Sequence, residues 1–368
     1  MRIAIVLNTS WNIYNFRLGL INSLLKNGHE VYAIAPYDEF SSKLIELGCK
    51  YEKVTMDSRG ANPVKDFGLI IELYRIYRKV RPDIILHFTI KPNIYGTFAA
   101  KLLGIPTINN VCGLGTVFLN KGFVSVIARL MYKVAFKYPN TVLFQNDQDR
   151  RLFIDEQLID EDRTDLVPGS GINPDKFIPV ELPENKEFTF LLVSRLIHDK
   201  GIIEYINAIK ELNQRGIKAK YQILGAIDEE HKRGIPSRIV ESWIQQNLIE
   251  YLGRVRDVRR FIENADCIVL PSYREGTPRT LLEAASMARP IVTTNVAGCN
   301  NVVTDNYNGF LCNLKDSLDL ADKMEKMINL PIERRREFGF RGRRHVEKEY
   351  NENLVIDKYN YIVKSFVG

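Results

Sequence analysis

Glu275 and Glu283 carry the chemistry most readable in this chain. They lie within Ser-Tyr-Arg-Glu-Gly-Thr-Pro-Arg-Thr-Leu-Leu-Glu-Ala-Ala-Ser-Met, residues 272–287. The apolar run 267–270 reads as a short buried strand, Thr277 as an N-cap, Pro278 as the first helical residue and 279–288 as a helix. Glu275 then sits on the loop and Glu283 inside the helix. At a rise of about 1.5 Å per residue, Pro278 and Glu283 lie roughly 7 Å apart along the axis. Helical side chains lean toward the N-terminus, so both carboxylates can face one elongated ligand. The N–H groups at the helix start, with the dipole behind them, suit a phosphate. A turn residue and a solvated helix face would explain two isolated glutamates equally well.

The upstream residues favour the ligand. An apolar run over 188–194 reads as a strand and is followed at once by Arg195, then by Lys200 and Gly201 before another helical segment. Two cations on a strand-to-helix loop can clamp a diphosphate, Arg by paired hydrogen bonds and Lys as a point charge. Together these four residues read as a nucleotide-sugar site.

Arg195, Lys200, Glu275 and Glu283 resemble the donor site of family 4 of the retaining glycosyltransferases, which have the GT-B fold. The likeness covers nearly the whole chain: Val-Pro-Gly-Ser-Gly-Ile-Asn at 167–173 with Phe177 resembles the family's interdomain segment, and Asn-Gly-Phe-Leu at 308–311 its strand after the donor helix. It implies that Arg195 and Lys200 hold the donor diphosphate, Glu283 takes the ribose hydroxyls and Glu275 the transferred sugar. The base would lie against the backbone at Arg254 and Val255, and Gly276, Thr277, Pro278 and Arg279 would complete the donor pocket. More narrowly, Asn15-Phe16-Arg17, Lys91-Pro92-Asn93 and Gly113-Leu114-Gly115 resemble bacterial members that extend polyprenyl-diphosphate-linked oligosaccharides, among them N-acetylgalactosaminyltransferases. Arg17, His87, Lys91, Asn93, Gly113 and Gly115 are therefore the acceptor-side candidates. Surface solvation and turn chemistry also fit Arg17, Lys91, Asn93 and the glycines, and His87 equally suits a satisfied histidine at a strand end. The resemblance implies a UDP-sugar donor, N-acetylhexosamine with GalNAc leading, and transfer without a metal or other cofactor.

Three departures from the family pattern bear on these roles. The first strand-to-helix loop holds Asn8-Thr9-Ser10-Trp11-Asn12 where many members have a glycine pair. The frequent active-site histidine is replaced by the run Asn109-Asn110-Val111-Cys112-Gly113. Asn301 stands where an acidic residue is common.

Positioning these groups requires parallel sheets. Short apolar runs at 3–7, 31–35, 84–86, 107–111, 142–144, 190–193, 221–224, 268–270 and 291–293 alternate with helical segments. A Gly/Pro/Asn-rich stretch at 167–187 interrupts the series. The expected fold is α/β, GT-B, with two Rossmann-like doubly wound domains facing across a cleft that holds the ligand at the strand C-termini. The expected bounds are 1–170 for an acceptor-binding domain, 171–350 for a nucleotide-sugar-binding domain, and 351–368 for a C-terminal helix crossing back to the first.

The chain has 368 residues, 45% apolar and 26% charged, as in ordinary globular proteins. Its five cysteines are scattered without a CxxC pair, which points to a reducing compartment and no zinc. No stretch approaches the ~20 apolar residues of a membrane span, so a cytoplasmic protein is expected. Residues 1–145 hold 18 Lys and Arg against 9 Asp and Glu, so the positive excess belongs to the first domain. Within 121–138, Phe123, Ile127, Leu130, Met131 and Val134 recur at helical spacing, with Arg129, Lys133 and Lys137 along one flank. This fits a peripheral contact with the inner face of the cytoplasmic membrane, or a core-facing helix with a basic edge.

Asp147-Gln148-Asp149 has the spacing of a metal-binding DxD, but it opens a helix after a strand and reads as an N-cap. A dinucleotide-dependent oxidoreductase would need a GxGxxG after the first strand, which is lacking. A nucleotide-sugar epimerase of similar architecture is the enzyme alternative, with a soluble-acceptor transferase beside it. The charges are too interleaved for a nucleic-acid footprint.

Overall fold

A computed structural model describes residues 1–57, 62–114, 118, 122–184 and 186–366. The chain divides into two compact units, Met1–Ser170 with Glu352–Gly368, and Gly171–Asn351. Each is a parallel sheet flanked by helices.

The first sheet holds β1 (Arg2–Val6), β2 (Glu30–Ala35), β3 (Lys50–Lys53), β4 (Ile84–Phe88), β5 (Thr107–Val111), β6 (Thr141–Phe144) and β7 (Thr164–Leu166), in the order β3-β2-β1-β4-β5-β6-β7. The second holds β8 (Thr189–Val193), β9 (Lys220–Leu224), β10 (Glu250–Tyr251), β11 (Cys267–Leu270), β12 (Ile291–Thr294) and β13 (Gly309–Cys312), in the order β10-β9-β8-β11-β12-β13. Every pairing is parallel, so helices must return the chain across the faces. The central strands β4, β5, β8, β11 and β12 are buried along their whole length because both faces are covered, including the polar residues His87, Asn109, Asn110, Thr293 and Thr294. The strands missing from the sequence reading, β3, β7 and β10, are sheet edges whose residues are polar and half-exposed.

Local capping fixes where the helices begin. Thr9 caps the helix Ser10–Lys26 by accepting from the Asn12 N–H at 3.1 Å. Asn146 caps Asp147–Asp155 by accepting from the Asp149 N–H at 2.7 Å. The capping group is therefore Asn146 rather than the two aspartates; Asp147 lies in the first turn beside Arg151 at 2.6 Å. The helix Glu352–Lys364 packs on the first unit, where Tyr359 accepts from the Asn110 amide at 2.8 Å and Asn360 donates to Ser23 at 2.8 Å.

His87 occupies the core of the first sheet rather than an acceptor surface. It is 0% exposed. Asn109 uses its amide nitrogen to donate to the Asn93 carbonyl at 2.9 Å and to Thr97 Oγ1 at 2.8 Å, which turns its oxygen toward His87 Nδ1 at 3.1 Å. His87 Nδ1 then carries the proton and Nε2 accepts from the Tyr77 hydroxyl at 2.9 Å. The network is complete with a neutral ring, and burial pushes the imidazole down to about 3, against a smaller opposing effect of the Asn109 bond. This histidine is structural, which corrects its expected acceptor role.

A depressed histidine pKa stabilises the fold above the unfolded value and withdraws that stability as acid is added. The unfolding free energy should fall by up to about 1.4 kcal/mol per unit as pH drops below about 6.5, continuing toward about 3. Denaturant midpoints measured across this range should show a slope that His87→Gln flattens.

Candidate active site

In the second unit the site is assembled from loops at the C-terminal ends of β8 and β11. β8 delivers Arg195 directly, then a single turn, His198–Lys200, before the helix Ile202–Gln214. β11 delivers Pro271 and the loop carrying Glu275 before the helix Arg279–Ser286. Pro278 occupies the capping position, so the helix begins one residue later than expected and Thr277 is not its cap.

The two loops are tied together by main-chain and side-chain hydrogen bonds. The Tyr273 N–H and the Ser272 hydroxyl both donate to the Asp199 carbonyl, at 2.9 and 3.1 Å. Thr280 Oγ1 donates to the Val193 carbonyl at 3.0 Å, joining the start of the second helix to the end of β8. Tyr273 donates to Glu204 on the following helix at 2.7 Å.

On this frame the charges pair. Lys200 Nζ bonds Glu275 Oε1, which also accepts from Ser272 Oγ at 2.6 Å. Arg279 Nε meets Glu283 Oε1 at 3.1 Å, while its Nη1 donates to the Gly171 carbonyl at 2.9 Å. Burial pushes the Glu283 carboxyl up, and Arg279 pulls it part of the way back. Arg195 is the most open of the group, 57% exposed, and faces Asp228 Oδ2 at 3.7 Å. Arg254 is exposed and Val255 half-buried against the core. Gly276 and Pro278 are buried, with Thr277 between them half-buried. Sequence reading missed Ser272 and Asp228: one is a small polar residue inside the motif itself, the other comes from a loop after β9 that no spacing connects to Arg195.

The first unit separates its candidates. Lys91 is drawn into the fold by Asp66 at 2.7 Å, and Tyr95 donates to the other oxygen of the same carboxylate at 3.0 Å. Asn93 is buried and donates to the Asn110 carbonyl at 2.8 Å. Lys91 is thus paired within the fold, while the Asn93 side-chain oxygen is buried without a partner. Arg17 is 4% exposed, with its guanidinium 4.3 Å from the centre of the Phe88 ring. Gly113 is half-buried with φ +112°. Gly115 lies outside the described residues. Arg129 does not join a free basic flank: it pairs with Glu156 at 2.7 Å and lies 4.6 Å from the Phe118 ring centre. Among the described residues no helix is long and apolar enough to cross a membrane.

Comparisons with known proteins follow the same division. Residues 2–146 match the glycosyl transferase 4-like family model, and residues 174–345 match the glycosyl transferases group 1 model. The chain is 27% identical to the N,N'-diacetylbacillosaminyl-diphospho-undecaprenol alpha-1,3-N-acetylgalactosaminyltransferase of Campylobacter jejuni, over 98% of this chain and 97% of that one. It is 26% identical to the UDP-Gal:alpha-D-GlcNAc-diphosphoundecaprenol alpha-1,3-galactosyltransferase of Escherichia coli, over 70% and 69%. Among solved structures, a glycosyltransferase from Rickettsia africae superposes with a TM-score of 0.81 at 19% identity, covering 100% of this chain and 98% of that one. The Anabaena HepE protein in complex with UDP-glucose gives 0.79 at 16% identity, covering 99% and 100%. The paired parallel sheets are thus those of the GT-B architecture, and the chain belongs to the glycosyltransferases, with a glycosyl transferase 4-like first portion and a glycosyl transferases group 1 second portion.

Proposed function

We propose that this glycosyltransferase moves a sugar, N-acetylhexosamine and GalNAc first, from UDP to a saccharide carried on polyprenyl diphosphate, with retention of anomeric configuration and without a metal. The observation that carries the donor half is the Lys200–Glu275 and Arg279–Glu283 pairing on interlocked strand-end loops. The acceptor half is supported by the relatives, whose names specify diphospho-undecaprenol-linked saccharides.

In this reading Arg195 and Lys200 hold the donor diphosphate. Glu283 accepts the ribose hydroxyls, Glu275 accepts hydroxyls of the transferred sugar, and the main chain at Arg254 and Val255 lies along the base. Gly276, Thr277, Pro278 and Arg279 line the sugar side. As the bond between the anomeric carbon and the phosphate oxygen breaks, its electron pair leaves on the diphosphate. Arg195, Lys200 and main-chain N–H groups stabilise that charge. The acceptor oxygen forms its bond on the same face, and its proton passes to the departing phosphate. The carboxylates are bound up in recognition and need not attack the sugar.

The first unit offers a surface for the lipid. On the helix Phe123–Ala135, Val126 is 61%, Leu130 60% and Ile127 44% exposed, and Lys133 and Lys137 are exposed on the same stretch. An apolar face flanked by lysines suits an anionic interface, and it would place the enzyme on the cytoplasmic face of the membrane beside its acceptor.

Transfer should be seen from one member of a UDP-sugar panel to a polyprenyl-diphosphate-linked monosaccharide, and should persist in chelator. Glu275→Ala and Glu283→Ala should each lower it by at least about tenfold, and Lys200→Ala should lower kcat about a hundredfold. Conversion of the donor without acceptor would instead identify an epimerase. For the helix, Leu130→Glu combined with Lys133→Glu and Lys137→Glu should abolish co-sedimentation with phosphatidylglycerol vesicles. Unchanged sedimentation would remove the membrane role. Arg129→Glu should act on stability, because it breaks an internal ion pair.

A further inference from the structure

Glu275 Oε1 is met from two sides. Lys200 Nζ bonds it, and Ser272 Oγ lies 2.6 Å away. In the proposed reading the donor diphosphate draws Lys200 off this oxygen, and the carboxylate must then keep its aim at the sugar without that cation. Ser272 is built into the fold more deeply than either partner. It is 0% exposed, against side-chain exposures of 13% for Glu275 and 22% for Lys200, so water competes little for its hydroxyl.

The main chain around the two residues is pinned independently of Lys200 Nζ. The Ser272 carbonyl accepts from Thr294 Oγ1 at the end of β12. The Tyr273 N–H donates to the Asp199 carbonyl at 2.9 Å, and the Glu275 N–H donates to the Ala297 carbonyl at 3.1 Å. Ser272 and Glu275 therefore project from one short loop fastened at both ends, and movement of the lysine side chain leaves their spacing in place. Such support from locked neighbours is what holds a recognition group in its productive geometry.

A serine hydroxyl carries one proton. Here two acceptors share it, Glu275 Oε1 at 2.6 Å and the Asp199 carbonyl at 3.1 Å. The shorter bond has the charged acceptor, and hydrogen bonds to a charge are about twice as strong as neutral ones. The Asp199 carbonyl keeps the Tyr273 N–H whichever way the proton turns, so committing the hydroxyl to Glu275 leaves no main-chain acceptor open. We infer that Ser272 is a positioning residue for sugar transfer: as Lys200 passes to the diphosphate, the Ser272 hydroxyl turns wholly to Glu275 and holds its carboxylate toward the sugar hydroxyls. The proton stays on Ser272 Oγ throughout, and no covalent bond forms or breaks. This rests on the proposed roles of Lys200 and Glu275 and adds the group that makes their separation workable.

The test is a double-mutant cycle on transfer by the full chain, with the donor that the UDP-sugar panel selects held at saturation. Ser272→Ala should lower kcat about tenfold or more. Ser272→Cys, which fills the same space but donates weakly, should lower it to a similar extent. In a Glu275→Ala background either substitution should cost less than about twofold, because the carboxylate to be oriented is gone. If Ser272 served only to tie the loop to Asp199, its loss would cost as much in that background as in the wild type, and that result overturns the inference. Wild-type kcat in Ser272→Cys overturns it as well, since the cysteine removes the strong donor without leaving a cavity. Calorimetry with UDP, which lacks the sugar, should give Ser272→Cys the wild-type affinity; loss of UDP binding in that variant would mark a collapsed loop and also overturn the positioning role. Full transfer by Glu275→Ala, or a wild type that does not bind UDP, would instead remove the donor-site reading on which the inference rests.

Discussion

Main-chain contact between neighbouring loops is the constraint on which the donor half depends. A Cβ at Gly201 would stand 2.0 Å from the Pro271 carbonyl oxygen, and one at Gly298 would stand 2.6 Å from that of Glu275. Both residues also have positive φ, +71° and +83°. The loops after β8, β11 and β12 therefore close on one another only because these positions lack side chains. With the backbone interlocked, Lys200 and Glu275 are held by residues immediately beside the contacts, and their ion pair inherits that rigidity. A site that must recognise charge developing on a leaving group benefits from such support, since misplacement of the cations would be paid in transition-state stabilisation.

The two units handle charge differently. In the second, three candidate cations already have an acid: Lys200 has Glu275, Arg279 has Glu283, and Arg195 has Asp228 at longer range. In the proposed reading a donor diphosphate enters a site that is internally balanced, so it must exchange partners with Glu275 rather than fill an unmet need. That exchange releases Glu275 toward the sugar at the moment the diphosphate arrives. In the first unit Arg17 sits among a carbonyl, a thiol and a ring.

What could be read from the chain follows from which residues carry their own context. The inner strands were legible because burial on both faces makes most of them short, largely apolar runs, and the second unit's motif because its members cluster on two loops. The edge strands β3, β7 and β10 were not, since exposure permits polar residues such as Lys50 and Glu250 that carry no periodic signal. Lys91 looked like a free cation because Asp66 lies 25 residues earlier and meets it only after folding. Arg129 looked like part of a basic flank until Glu156, 27 residues later, turned it inward. His87 differed again: its neighbours Tyr77 and Asn109 come from other elements, and only their convergence shows a neutral, satisfied ring.

These cases share a physical cause. A polar side chain near the end of a central strand must be paired or liganded, because the sheet's flanking helices remove it from water. His87, Asn109 and Lys91 meet that demand from within the fold, and so resemble site residues in sequence while serving the core. Asn8, Arg17, Thr89 and Asn93 each leave it unmet at one buried atom. Proximity to the strand ends is common to both groups, so position alone cannot divide scaffold from site. The division lies in whether the hydrogen bonds close within the chain, and in the first unit it separates residues only a few positions apart, Thr89 from His87 and Lys91.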